Sequence, residues 1–307
     1  QNKTKKNFTH LHVHTEYSLL DGSAKIKELV AKAKQLDMDS IAITDHGAMY
    51  GVIEFYKAAK EIGIKPIIGC EVYVANGSRL EKESKNGYQY SHLVLLAENN
   101  EGYQNLIKLV SYGFLDGFYY KPRIDKELLK KYHKGLIACS ACLAGEVSKK
   151  ILNVSYEKAK EAALEYEQIF GKGNYFLELQ DHGMDKQKQV NEALRKIHNE
   201  TKIPMICSND SHYINKEDAQ PHDILLCIQT GKTVEDENRM RYEGGQFYLK
   251  SSEEMYALFP EDTEALENTH KIAQRCNVEF TFHDLKLPRF DVPEGKEAKQ
   301  YLRELCY

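Results

Sequence analysis

The stretch FTHLHVHTEYSLLDG, residues 8–22, carries imidazoles at every second position, His10, His12 and His14, and Asp21 follows seven residues after the last. Successive side chains of an extended chain point to opposite faces. Phe8, His10, His12 and His14 are therefore expected on one side, and Leu11 and Val13 on the other. A row of neutral imidazoles converging on one face suits Zn, Mn or Fe. A polar strand face with nothing bound is the plain alternative, and the rest of the chain has to decide between them.

Downstream, apolar β-rich runs alternate with amphipathic helical ones. Residues 25–36 show helical spacing of Ile26, Leu29, Val30, Ala33 and Leu36, and SIAIT at 40–44 reads as a buried strand. The order continues with strands KPIIGCEVYV and HLVLLA, helix GYQNLIKLVSYG, strand GLIACS and helix YEKAKEAALEYEQIF. Strand YFLELQ, helix DKQKQVNEALRKIHNE and strand IPMICS follow. Near-continuous apolar strands joined by helices predict a parallel α/β sheet. Seven such strands without internal repeats predict a barrel, whose working residues sit just beyond the C-terminal strand ends. Residues 75–90 read as a plain surface loop. Beyond residue 213, KEDAQPHDILLCIQTGK reads as a helix with a glycine stop and SSEEMYALFP as a short serine-capped helix. The final helix shows an apolar side of Tyr301, Leu302 and Leu305, the expected beginning of something larger.

The 307 residues suffice for one large core or two modest domains. A net charge of −4 argues against sequence-independent clamping of a nucleic-acid backbone, though not against a strand end entering a metal pocket. No window is long and apolar enough to span a bilayer. The start QNKTKKN does not read as a signal peptide, and its lack of Met reads as a processed or recombinant end. Seven scattered cysteines read as free thiols in a reducing cytoplasm, so the expected location is cytoplasmic, with no membrane partner.

The strand ends share one chemistry. The first delivers His12 and His14, SIAITDHG delivers Asp45 and His46, and IIGCE delivers Glu71. LIACSAC delivers Cys142, and PMICSNDSH delivers Asp210 and His212. Parallel strands in one barrel would bring these groups, with Asp21, to one mouth. Desolvating an unpaired ion costs several kcal/mol, so converging carboxylates call for cations. There are too many ligands for one tetrahedral zinc, and a His/carboxylate set with a single thiolate favours catalysis over a structural site.

HLHVHTEYSLLDG, AITDHGAMYGVIEFYKAAKEIGIKPIIGCEVYV, GYQNLIKLVSYGFLDGFYYKPRID and NDSHY together resemble the PHP (polymerase and histidinol phosphatase) family. They are most similar to the PHP domains that open bacterial C-family replicative polymerases. The resemblance runs from about residue 8 to residue 307 and implies a distorted (β/α)7 barrel over residues 7–283. Residues 284–307 would then begin the linker into a polymerase core. It also implies two to three divalent ions (Zn, Mn or Fe). His12, His14, Glu71 and Asp210 would hold one. Glu71 would bridge to a second, held also by His92 and Cys142, and Asp21, His46 and His212 would hold a third. His92 precedes its strand instead of following it, so either that strand starts earlier, at residues 88–90, or it runs differently from the rest.

Other residues have plainer roles. Cys139 reads as a buried strand thiol, His10 as packing behind the site, and Asp45 as the group that orients a ligand histidine. His182 is a candidate phosphate contact; Lys121 and Arg123 either steer a phosphate or hold a turn. The implied activity is phosphoester hydrolysis by a metal-activated hydroxide, with a DNA 3′ end as substrate in a 3′–5′ exonuclease. One alternative is a metal-stabilised scaffold that docks a separate proofreading subunit and the polymerase core. A second is a free-standing phosphatase of the histidinol-phosphatase kind. Nucleotide addition is not assigned to these residues.

Overall fold

The structure is a computed structural model and describes residues 6–82 and 90–307. Its helices are α1 (Ile26–Gln35), α2 (Val52–Glu61), α3 (Asn100–Leu115), α4 (Lys126–Tyr132), α5 (Glu146–Asn153) and α6 (Tyr156–Phe170), then α7 (Asp185–Thr201), α8 (Ala219–Thr230), α9 (Ser252–Leu258), α10 (Thr263–Arg275) and α11 (Ala298–Cys306). Its strands are β1 (Ser40–Ile43), β2 (Lys65–Ala75), β3 (Tyr90–Ala97), β4 (Arg123–Ile124), β5 (Leu136–Cys139), β6 (Tyr175–Leu179) and β7 (Met205–Cys207). Local chemistry sets several helix ends. Asn99 accepts from Gly102 N–H, Ser155 from Lys158 N–H, and Ser251 with Glu254 forms a reciprocal cap at α9. α8 stops at Gly231, whose φ of 63° is open to glycine at little cost. α1 buries Ile26, Leu29, Val30 and Ala33, the face its spacing predicts.

The strand order is β1-β2-β3-β5-β6-β7, and β4 pairs with the part of β2 that lies beyond its β1 pairing. Contrary to the all-parallel expectation, β3 runs antiparallel to both β2 and β5; the other pairs are parallel. This answers the difficulty over His92. The N-terminal end of a reversed strand lies where its neighbours' C-terminal ends lie, so His92 reaches the mouth from the start of β3.

Residues 10–14 close the ring, but not as a regular strand. Ala42 N–H donates to His10 O and Thr44 N–H to Val13 O. On the other edge His14 N–H donates to Ser211 O and Ser211 N–H to His12 O. Where the ladder breaks, Val13 N–H donates to the Thr44 hydroxyl at 2.8 Å. The irregularity corrects the expected two faces. Leu11 packs with Ala42, Ile67, Val94, Leu96, Ile137, Phe176 and Ile206 inside the ring, whereas Val13 packs with the shell between sheet and helices.

The loop expected over 75–90 is less plain than its composition. Ala75 still belongs to β2 and Tyr90 to β3. Arg79 is buried and donates to Asp125 through its backbone N–H and its guanidinium. Residues 83–89 lie outside the described residues.

Candidate metal centre

Inward-facing rows of the ring change character along their length. At the bottom they are apolar: Ala42, Ile67, Val94, Leu96, Ile137, Cys139, Phe176 and Ile206. Alternation carries the same rows to the mouth. Ala42 leads by twos to Thr44 and His46, Ile67 to Gly69 and Glu71, Val94 back to His92, Phe176 to Glu178 and Gln180, and Ile206 to Ser208 and Asp210. The polar groups therefore arrive at one level because each lies two or four residues beyond a core position.

Glu71 is the hub. Its carboxylate lies 3.4 Å from His12 Nε2, 3.2 Å from His14 Nε2, 2.8 Å from His46 Nδ1 and 3.0 Å from His92 Nδ1. Asp210 Oδ1 lies 3.1 Å from His12 Nε2 and 3.2 Å from His14 Nε2. Asp21 Oδ2 lies 2.9 Å from His46 Nε2. Donor atoms cluster as His12, His14 and Glu71, as His46, Glu71 and His92, and as His14, His46 and His212. Cys142 stands at the edge, its Sγ 3.8 Å from His92 Nδ1.

Behind these atoms sits a shell that fixes which ring nitrogen faces inward. His12 Nδ1–H donates to Glu178 at 2.7 Å, and His212 Nδ1–H donates to the Asp210 carbonyl at 2.7 Å. The Ser18 hydroxyl donates its one proton to Asp45, which also accepts from Thr15 N–H and Thr15 Oγ1. Ser18 must then accept from His14 Nδ1–H, 2.8 Å away. Each of the three rings thus commits its Nδ1 to the shell and turns its Nε2 toward the centre, free to exchange any proton it carries for an incoming metal. Asp45, expected to orient a ligand histidine, connects to His14 through Ser18. Glu178 also accepts from Ala141 N–H, Gln180 and the Ser208 hydroxyl, tying three strand ends to one carboxylate.

The buried atoms without a hydrogen-bond partner test the fit of a metal. His12 Nε2, His14 Nε2, both ring nitrogens of His46, Asp21 Oδ1, Glu71 Oε2 and Asp210 Oδ1 lie close together, yet have none. Buried polar atoms are ordinarily paired. Donor atoms a few ångströms apart that do not aim at one another are what cation ligands look like, so the residues fit divalent ions. Backbone strain gathers at the same place: Leu20 beside Asp21 (φ 61°), Ala141 beside Cys142 (φ 62°) and Asp210 itself (φ 46°) are left-handed without being glycine.

Electrostatics follow from the crowding. Burial lowers the His12 pKa, but the Asp210, Glu178 and Glu71 carboxylates outweigh it and hold the ring well above its ordinary value. Burial acts likewise on His46, yet Glu71 and Asp21 raise it to about 10. Desolvation would raise Glu71, Asp21 and Asp210, and the surrounding imidazoles pull all three below the carboxylate range. His212 is lowered to about 3 by burial and by His14.

Other expected residues fall elsewhere. His10 is buried with its Nε2 on the Lys250 carbonyl at 2.7 Å, packed against Phe8. His182 is not free to contact phosphate, because Nε2 meets Asn209 O and Nδ1 meets Gln187 Nε2, both at 2.7 Å, and its ring stacks on Phe247. Arg123 is likewise turned away. Its Nε donates to Gly117 O, and its Nη2 to Arg79 O and Glu81 O, so it holds the turn. The sequence reading missed Glu178, Ser18 and Tyr242, whose hydroxyl lies 3.2 Å from His212 Nε2. A glutamate at an inward position of an apolar strand was a usable signal for Glu178. Tyr242 sits in a polar stretch that gives none.

The family described as "PHP domain" matches residues 10–182. DNA polymerase III subunit alpha of Borreliella burgdorferi is 49% identical over 97% of this chain and 26% of its own length. The Thermus aquaticus protein of the same name is 43% identical over 99% of this chain and 26% of its own. The chain thus spans about a quarter of the length of these curated relatives. Among solved structures, a two-domain protein containing a predicted PHP-like metal-dependent phosphoesterase from Bacteroides vulgatus is 14% identical. It covers 86% of this chain and 63% of its own, with a TM-score of 0.42.

Proposed function

The chain belongs to the PHP domain family, and from that premise we propose that it is the metal-dependent phosphoesterase domain of a bacterial replicative DNA polymerase, acting on a DNA 3′ end as a 3′–5′ exonuclease. The observation that carries the proposal is the set of orphaned, mutually close donor atoms on His12, His14, Asp21, His46, Glu71 and Asp210. His92, Cys142 and His212 complete the proposed ligand set, which is sized for two to three ions of the Zn, Mn or Fe kind. Bound there, such ions supply Lewis acidity toward phosphoryl oxygens and an activated water at neutral pH.

This chain's own residues do the rest. Ser18, Glu178 and the Asp210 carbonyl hold the rings in one tautomer, so the donor set is preorganised before metal arrives. Buried apolar side chains fill the bottom of the ring. The remainder of the polymerase chain and a separate proofreading subunit are the proposed protein partners. No helix of the described residues is long and apolar enough to cross a membrane.

Elemental mass spectrometry on chelator-free protein, beside a His12→Ala/Asp210→Ala double variant, tests the centre. Two to three equivalents in the parent and a loss in the variant are expected, with release of 3′-terminal nucleotides from end-labelled DNA by the parent alone. Metal without release would leave the scaffold alternative, in which ions serve stability and docking. No metal after it is offered back would sink both.

A further inference from the structure

Asp21 and His46, at one edge of the centre, also line a cleft of about 230 Å³ whose other walls include Tyr50, Tyr73, Phe114 and Lys121. Tyr50 and Phe114 are 59% and 39% exposed. Their ring centroids are 6.5 Å apart at 46°. The Lys121 ammonium sits 5.5 Å from the centroid of Tyr73, whose ring in turn stacks near His46 at 6.1 Å. The cleft therefore brings together two groups of the proposed centre, one cation and a pair of exposed aromatic rings.

We propose that this cleft is a nucleoside subsite, in which Tyr50 and Phe114 seat the terminal base of a single nucleic-acid strand while Lys121 neutralises its phosphate. The proposal rests on the hydrolytic reading of the centre and deepens it by naming what lies beside the reacting phosphate. Base–aromatic stacking tolerates any base, since every base offers a π-face. A small phosphorylated amine or alcohol would use the cation and leave the rings exposed to water. A long strand would need a basic track, which a chain of net charge −4 does not offer. One base, one adjacent cation and a centre for the phosphate describe a strand end.

Binding of 5′-fluorescein oligothymidylates to the EDTA-treated chain, followed by anisotropy, tests the subsite without using turnover. Tyr50→Ala and Phe114→Ala are each expected to weaken binding roughly 5- to 100-fold. Tyr50→Phe should keep parental affinity. Leu115→Ala, a 79% exposed position on α3 that does not line the cleft, should change nothing. Short and long strands should bind alike, with a log–log salt slope of about −0.7, as for a single phosphate contact. Affinity that grows steadily with strand length, or that is unmoved by Tyr50→Ala and Phe114→Ala, overturns the subsite and leaves the hydrolytic reading standing. Ring-dependent binding by a chain that releases no nucleotide after metal loading upholds the subsite and overturns the hydrolytic reading alone.

Discussion

Glu178 is 2% exposed and accepts four donors, two of them from the strand ends that carry Asp210 and Cys142 and one from His12 itself. A glutamine there would turn an N–H₂ toward at least one of these donors. Loss of such an outer carboxylate typically costs 10–100-fold in metal affinity. Glu178→Gln is expected to fall in that range by chelator competition, with an unchanged far-UV circular dichroism spectrum; unchanged affinity would show that His12 needs no such anchor. The metal-free chain has a further signature. His46, raised to about 10, and His12, also raised, stabilise the fold fully below the unfolded histidine value of about 6.5 and lose that contribution as pH climbs toward about 10. Asp21, Glu71 and Asp210, lowered, contribute above about 4 and lose it in acid. His212, lowered to about 3, and His10 and His182, each lowered to about 4, must be kept neutral in the fold and so cost stability as pH falls below about 6.5. Thermal melts of the EDTA-treated chain should therefore peak near about pH 6.5 and decline through alkaline pH. Zn or Mn, which competes with protons for the rings, should restore Tm most strongly on the alkaline side. A metal-free Tm that rises with pH in that range would contradict these charge states. Seven of the proposed set, His12, His14, His46, Glu71, Cys142, Asp210 and His212, were legible at this scale because they follow apolar runs, whereas Asp21 lies in a loop and His92 came from the family resemblance alone. The shell was not legible, because Ser18 and Tyr242 gain their roles only from tertiary proximity.

Among the elements, β3 is the one that local pattern could not orient. Periodicity reports which face of a strand is buried, and that face is the same whichever way the strand runs. HLVLLA was legible as a buried strand, and His92 as an anomaly, but only pairing with β2 and β5 shows the reversal. The same pairing explains Gly69. It lies between Ile67 and Glu71 on the inward row of β2, and a Cβ there would come 2.5 Å from the Leu95 carbonyl and 2.8 Å from Leu96 Cδ2. Backbone at the first contact cannot yield as a flexible side chain would. Gly69→Ala should force β2 and β3 apart where Gly69 faces Leu96, two residues before Glu71, and so disturb the strand spacing on which the Glu71–His92 contact depends. The expected cost is that of overpacking, about 1–3 kcal/mol, read as a lower urea midpoint with an unchanged slope. Reduced metal content should accompany it. Full metal occupancy at a lowered midpoint would show that the hub tolerates a wider strand spacing.

For the molecule as a whole, the packed body ends near Phe282. Phe280 lies 4.6 Å from Tyr56 and 4.8 Å from Tyr103, and Lys57 sits over Phe282 at 4.6 Å. From residue 284 onward no residue is buried, and α11 buries none of its own apolar side. Leu285, Leu287, Phe290, Leu302 and Leu305 are each more than 60% exposed. Apolar area contributes to stability only when it leaves water, so this segment adds nothing to the core that carries the centre. The resemblance implies a division at residue 283, and we propose that boundary here because nothing from residue 284 onward is buried. A chain ending at His283 is therefore expected to melt within about 2 °C of the parent, since 1 kcal/mol corresponds to roughly 2–4 °C for large domains. Its metal content per chain should be unchanged. It should also self-associate less by sedimentation velocity, because the exposed leucines and Phe290 are gone. A drop in Tm well beyond that range, or lost metal, would mean that the segment folds back on the ring in solution and belongs to the same cooperative unit.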